Sequence, residues 1–321
     1  MRLSTTLMFQ QQTQGISRAQ ADWLAAGERL SSGKRVVSPS DDPIAASQAL
    51  GIQQHQHTEQ RYGMAQQFAV TTMNTEATAL SSISENIQAA ISEVIYGATG
   101  TLNDDDRQSV AVKLEGIRQQ LVTLSNSQDS SGRYLFAGYN TAQPPFVETS
   151  TGIAYQGGEQ PIMQQVDSQR TMTLTHTGRQ VFLSATGHPK LEPDGSIGDT
   201  DLFSILSKAI EALKTPMAEA DQNTAQAFQE AMNSANRGLN NSLNNILTLQ
   251  SENGTQLVEL DSLASLGASQ SVLAQSQLSQ LVDADVTETI SEYQMKQTAL
   301  QASYTAFTQM SKLSLFQMNR G

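Results

Sequence analysis

The chain has 321 residues, 38% of them hydrophobic and 5% aromatic, with one Trp and a formal net charge of −12. With no basic run to offset that charge, the composition argues against nucleic acid and against an anionic membrane surface as partners, because both are bound mainly through Lys and Arg. The absence of cysteine excludes disulfides, thiolate metal sites and a cysteine nucleophile.

The first predicted element runs from Thr5 to Leu30. Phe9, Ile16, Ala19, Trp23, Ala26 and Leu30, with Gln12 filling one slot, recur at steps of three and four. That spacing puts them on one seam of a coiled-coil-like helix. No stretch reaches the ~18–20 apolar residues of a membrane span. Leu3, Leu7, Met8 and Phe9 are interrupted by Ser4, Thr5 and Thr6, so no compact signal-peptide core is expected and export would use a route that reads no cleaved signal.

Gly33 suits a helix C-terminus, and Asp42-Pro43 suits an N-cap followed by the first helical residue. A second helix is predicted from Ile44 to the glycines at 97 and 100, with its apolar track through Ala69, Met73, Leu80, Ile83, Ile87 and Val94. Asn103 should cap a third whose first turn, Asp104 to Asp106, complements the positive helix end. Val110, Leu114, Ile117, Leu121 and Leu124 give that helix its buried face, with Ser130-Ser131-Gly132 as its stop.

From Arg133 the character changes. Tyr134 to Tyr139, Met163 to Val166 and Thr171 to Thr177 read as strands among Gly, Pro and Thr turn signals, and the loop from Pro189 to Gly198 closes the region. Helix resumes at Asp201 and stops at Pro216. A long track from Phe228 then passes Gly267 and merges into a last helix, whose seam is Val286, Ile290, Tyr293, Leu300, Tyr304, Phe307, Met310 and Leu313.

The expected fold is mainly α with a small β-rich insert: an elongated antiparallel coiled-coil-like helical rod from which the β domain projects. The expected domains are 1–60 with 280–321 (terminal helical assembly), 61–133 with 201–279 (helical rod) and 134–200 (β-rich insert). Burying four large seam residues offsets only part of the backbone entropy of ordering the first helix. Both terminal stripes are therefore expected to need each other and further molecules. The candidate assembly residues are Phe9, Ile16, Ala19, Trp23, Leu30, Ile290, Tyr293, Leu300, Tyr304, Phe307 and Leu313.

Other chemistry has less support. Gly33-Lys34 lacks the earlier glycine and the following Ser or Thr of a phosphate loop. His55 and His57 stand two apart and cannot share a metal on one helix face, while His176 and His188 are isolated and read as solvated. The Asp104 to Asp106 run lacks the glycine and glutamate of a calcium loop. No Ser, His and acid grouping resembles a nucleophile elbow. No cofactor, metal or catalytic residue is expected, and the two Asn-x-Ser/Thr sequons, at Asn240 and Asn253, fall on predicted helices.

Arg2-Leu3-Ser4-Thr5, the segment Leu30-Ser31-Ser32-Gly33-Lys34-Arg35-Val36-Val37-Ser38-Pro39-Ser40-Asp41-Asp42-Pro43-Ile44-Ala45 and the closing helix resemble the flagellin superfamily. The Pro39 to Ile44 form, the Gly132 to Tyr139 stretch and the ending Leu313-Ser314-Leu315-Phe316-Gln317 are closer to its hook-associated branch than to filament subunits. The resemblance implies a bacterial, extracellular, non-enzymatic flagellar subunit. It would form a ring of its own copies between the first hook-associated protein and the flagellin filament. An export chaperone would hold its C-terminal helix. The alternatives are a minor flagellin-like filament subunit or a secreted adhesin with a coiled-coil stalk.

Overall fold

The computed structural model describes residues 2–150, 152–185, 187–217 and 220–318, with side chains over residues 6–312. The chain divides into two units, residues 1–60 with 267–321 and residues 61–266.

The first unit is built from α1 (Arg2–Ser32), α7 (Val286–Met318), the start of α2 (Pro43–Gly97) and the end of α6 (Gln222–Val282). Gly33 ends α1 at φ 67°, and its N–H donates to the Arg29 carbonyl at 2.9 Å. A residue with a Cβ pays a steric cost in that left-handed conformation. Asp42 caps α2 by accepting the Ala45 N–H at 3.0 Å, and Pro43 follows as the first helical residue, where its missing N–H costs nothing.

The second unit holds the main core. α3 (Asp104–Ser125) is capped by Asn103, which accepts the Asp106 N–H at 2.7 Å. α5 (Leu202–Lys214) is capped by Asp201. Both pack with α2 and α6 around Leu80, Ile83, Ile87, Leu114, Leu121, Leu206 and Leu239, all fully buried. Phe136, Phe146, Phe182 and Phe203 form an aromatic cluster with centroid separations of 5.1–5.6 Å.

Two antiparallel hairpins complete the unit. β1 (Phe146–Thr149) pairs with β2 (Gly152–Tyr155), with Phe146 opposite Tyr155. β3 (Ile162–Asp167) pairs with β4 (Arg170–Thr175) and carries two register shifts. Val166, Met172 and Leu174 of the second hairpin pack on Ala69 and Met73 of α2 and Leu260 of α6. Thr177 then caps the short α4 (Gly178–Phe182) through a capping box with Gln180.

The mainly helical fold with a small β region matches the sequence expectation, but several details differ. Tyr134 to Tyr139 is a turn rather than a strand. Gly138 sits at φ 58°, and a Cβ there would lie 2.7 Å from the Gln160 carbonyl, so the backbone folds back too tightly for a ladder. α3 stops at Ser125, ahead of Ser130, because the Asn126 side chain leaves the helix to bond both the N–H and the carbonyl of Phe146. β1 and β2 lie where only turns were expected, and α4 lies where no element was expected. The long track also breaks between α6 and α7.

Candidate assembly surface

The two seams read from the sequence face each other. α1 and α7 run antiparallel, with Phe9 edge-on to Phe307 (centroids 5.1 Å apart, 71°) and Trp23 beside Tyr293 at 5.9 Å. Gly27 faces Tyr293, since a Cβ there would lie in ordinary contact, 3.4 Å from the ring. Arg29 with Glu292 (3.5 Å) and Lys296 with Asp22 (3.3 Å) flank the seam. Both pairs are solvent-facing, so they fix register more than they stabilise.

Both ring pairs sum to the same position number, 316, which is the antiparallel register of one heptad row against another. Tyr293 and Phe307 turn toward α1, and Phe9 and Trp23 turn toward α7.

The pairing does not cover the whole stripe. Ile16, Ala19, Trp23, Leu30, Tyr293, Leu300 and Phe307 are half-buried. Phe9, Ile290 and Tyr304 remain 39%, 41% and 47% exposed. Ala26 alone of the α1 seam is fully buried. Val286, expected in the last seam, is exposed, and so are Leu7, Leu24 and Met295, which lie outside the expected seams. The side chain of Leu313 lies outside the described residues. The same unit carries an open groove of about 750 Å³, floored by Ile52, Leu273, Ala274 and Leu281 and rimmed by Gln48 and Gln277.

A clasp fixes how the α1–α2 connection meets the α6–α7 connection. The Arg35 N–H donates to the Val282 carbonyl at 2.7 Å, and the Ala284 N–H donates back to the Gly33 carbonyl at 2.9 Å. The Arg35 guanidinium reaches the Leu281 carbonyl at 2.7 Å and Asp42 at 3.2 Å. Asp41 accepts the Ser38 and Val37 N–H groups at 2.8 and 3.1 Å. Those backbone donors hold the Asp41 carboxyl below its ordinary pKa; the Ala45 N–H, and then Arg35, do the same for Asp42.

Sequence reading missed Arg35 and the break at Asp283 to Asp285. The signal was present: Asp285 accepts the Thr287 and Glu288 N–H groups, and Asp-x-x-Glu is a helix-start pattern. It was hidden by an apolar track that continues in phase across the break.

The other candidates hold little chemistry. Gly33-Lys34 is a helix–helix turn. His55 points to solvent, 3.9 Å from Glu59. His176 is not solvated but buried beside Glu76, and Asn253, part of a sequon, is 2% exposed. Among the described residues no group of three or more His, Cys, Asp or Glu could hold a metal ion, and no helix is long and apolar enough to cross a membrane.

Residues 3–141 match the family model of the bacterial flagellin N-terminal helical region. The chain is 50% identical over 322 residues to the flagellar hook-associated protein 3 of Escherichia coli K12, covering 100% of both chains. It is 49% identical over 320 residues to the protein of the same name in Salmonella typhimurium LT2, again over 100% of both. Among solved structures, a FlgL from Xanthomonas campestris superposes with a TM-score of 0.61 at 17% identity, over 71% of this chain and 99% of that one. The flagellar junction protein FlgL from Legionella pneumophila gives 0.61 at 17% identity, over 74% and 100%. At such identities these two likenesses concern the fold.

Proposed function

The chain belongs to the flagellar hook-associated protein 3 family, and from that premise we infer that it is a structural subunit of the bacterial flagellum, located outside the cell body at the junction of hook and filament. The observation that carries the reading is the α1–α7 pair, whose rings meet within the chain while Ile290 and Tyr304 of its seam, and Leu7 and Leu24 outside it, stay exposed. A pair of helices with apolar positions left over beyond the seam fits packing against further helices.

In this reading Phe9, Ile16, Ala19, Trp23, Leu30, Tyr293, Leu300 and Phe307 hold the pair together, and Ile290 and Tyr304 meet neighbours. Residues 1–60 with 280–321 act as the assembly domain, 61–133 with 201–279 as helical support, and 134–200 as an outward-facing insert. The neighbours are further copies in a ring, the first hook-associated protein on one side and flagellin on the other. α7 is held by an export chaperone before assembly, and export uses no cleaved signal. The subunit works by shape and packing and carries no catalysis.

The test replaces Ile290 and Tyr304 together with Gln. These positions are 41% and 47% exposed in the free chain, so helical content should persist by circular dichroism. Cells carrying only this variant should shed their filaments. Normal filament attachment in those cells refutes the assignment of these two residues.

A further inference from the structure

A buried polar cluster lies where the β3–β4 hairpin meets α2 and α6. Glu76 of α2 is 1% exposed and His176, the residue after β4, is 6% exposed. Glu76 Oε1 accepts the His176 backbone N–H at 2.6 Å and lies 3.1 Å from Nδ1 of its ring. Glu76 Oε2 accepts from Asn253 Nδ2 at 3.0 Å, and the same amide donates to the Met73 carbonyl at 3.2 Å. On the other side of the ring, Nε2 is 3.7 Å from Oε2 of Glu252 on α6. The imidazole is thus held between one carboxylate from each helix. Apolar Ala69, Met73, Val166 and Leu260 pack close by.

A carboxylate withdrawn from water is costly unless it is paired and bonded. Glu76 gains two N–H donors, but its charge is balanced only when the imidazole carries a proton. We propose that His176 is a pH-operated latch, which when protonated seats the β3–β4 hairpin and α4 on α2 and α6, and which loosens that seat as the proton leaves.

Among the described residues, the charged groups acting on the ring are Glu76 from α2 and Glu252 from α6. Burial pulls the imidazole pKa down. The hydrogen bond and charge of Glu76, supported by Glu252, outweigh it and hold the pKa above the ordinary histidine value of 6.5. The folded-state pKa is raised, so the stabilisation is complete below the unfolded value and is lost as pH climbs through the folded one. The latch is closed in mild acid and opens toward alkali.

The full chain is tested by amide exchange in β3 and β4 at pH 6 and pH 9, with intrinsic rates divided out, and by proton NMR titration of its four histidine rings. The His176→Gln spectrum assigns the ring signal. The opening constant of the hairpin should rise at least about threefold from pH 6 to pH 9, and His176 should titrate above the ordinary histidine value. In Glu76→Gln the pH slope should flatten or reverse, because burial then acts on the ring without its main counter-charge. If His176→Gln fails to fold, the wild-type exchange series and the Glu76→Gln slope still decide. A hairpin equally protected at both pH values, a His176 pKa at or below the ordinary value, or an unchanged slope in Glu76→Gln overturns the proposal.

Discussion

Truncating Phe9 and Phe307 to alanine, singly and together, measures whether the α1–α7 seam exists in the free chain. A fully buried Phe contributes about 1.5–3 kcal/mol. Phe9 is 39% exposed, which leaves about 1–2 kcal/mol for the part that is covered. The single Phe9→Ala change should therefore raise the local opening constant of α1 about 5- to 30-fold. The rings meet edge-on at 5.1 Å and 71°. Such pairs are coupled by about 0.5–1.5 kcal/mol beyond their area. The double variant should then open less than the product of the single effects, by about 2- to 10-fold. Native-state amide exchange across α1 and α7 reads both quantities. If the two effects simply multiply, or if truncating Phe9 leaves exchange in α7 untouched, the rings do not meet in solution and the intramolecular seam is wrong.

Other perturbations test separate parts of the argument. Phe182 is 1% exposed and meets three other rings, so Phe182→Ala should cost about 3–5 kcal/mol in urea unfolding of the second unit, and a loss below about 1 kcal/mol would show that the aromatic cluster is loose. Gly138→Ala forces a Cβ into the left-handed region and to within 2.7 Å of the Gln160 carbonyl; a penalty on the order of 1–3 kcal/mol should lower the thermal midpoint, and an unchanged midpoint contradicts the folded-back turn. Arg35→Met removes the donors to the Leu281 carbonyl and Asp42, so the Ala284 amide should exchange faster; unaltered exchange means the backbone bonds alone hold the clasp. Deleting residues 1–30 should leave the second unit folded yet abolish filament attachment, and filament growth on such a subunit would refute the assembly role.

The helical parts of this fold were legible because their signals are local and redundant. Three/four spacing, Asn103 and Asp42 as caps, Pro43 as a first residue and Gly33 as a stop each state the same boundary twice. The β region was less legible because its strands are four to six residues long and half-exposed, so alternation has little length in which to show. Tyr134 to Tyr139 carried β-prone residues, but the tight approach of Gly138 to Gln160 depends on a contact no local pattern encodes. His176 is the same case at the level of chemistry. It looks isolated in sequence, and it becomes an ion-pair partner only when α2 brings Glu76, a hundred residues away, beneath it. The two apolar rows that meet between α1 and α7 were legible, yet which of their residues the pairing covers and which it leaves exposed was not. Which side of a seam is covered depends on the partner helix.

That division decides what kind of assembly the chain can enter. Two helices packed through heptad positions cover only the strip between them. Here the strip is already filled from within the chain by Phe9, Trp23, Tyr293 and Phe307, so a neighbour cannot bind by replacing those contacts without first breaking them. On the proposed assembly role it would bind by adding to them, at exposed residues such as Ile290, Tyr304, Leu7 and Leu24. Assembly of this sort takes up a pre-paired unit rather than two separate tails, and the ordering entropy of α1 is then shared with α7 before any neighbour arrives. Deleting α7 alone should accordingly harm α1 as much as the neighbours do: the α1 amides should lose protection in the free chain. A protected α1 in that deletion would mean that α1 is held by something other than the seam, and that the open row is not what distinguishes the assembled state.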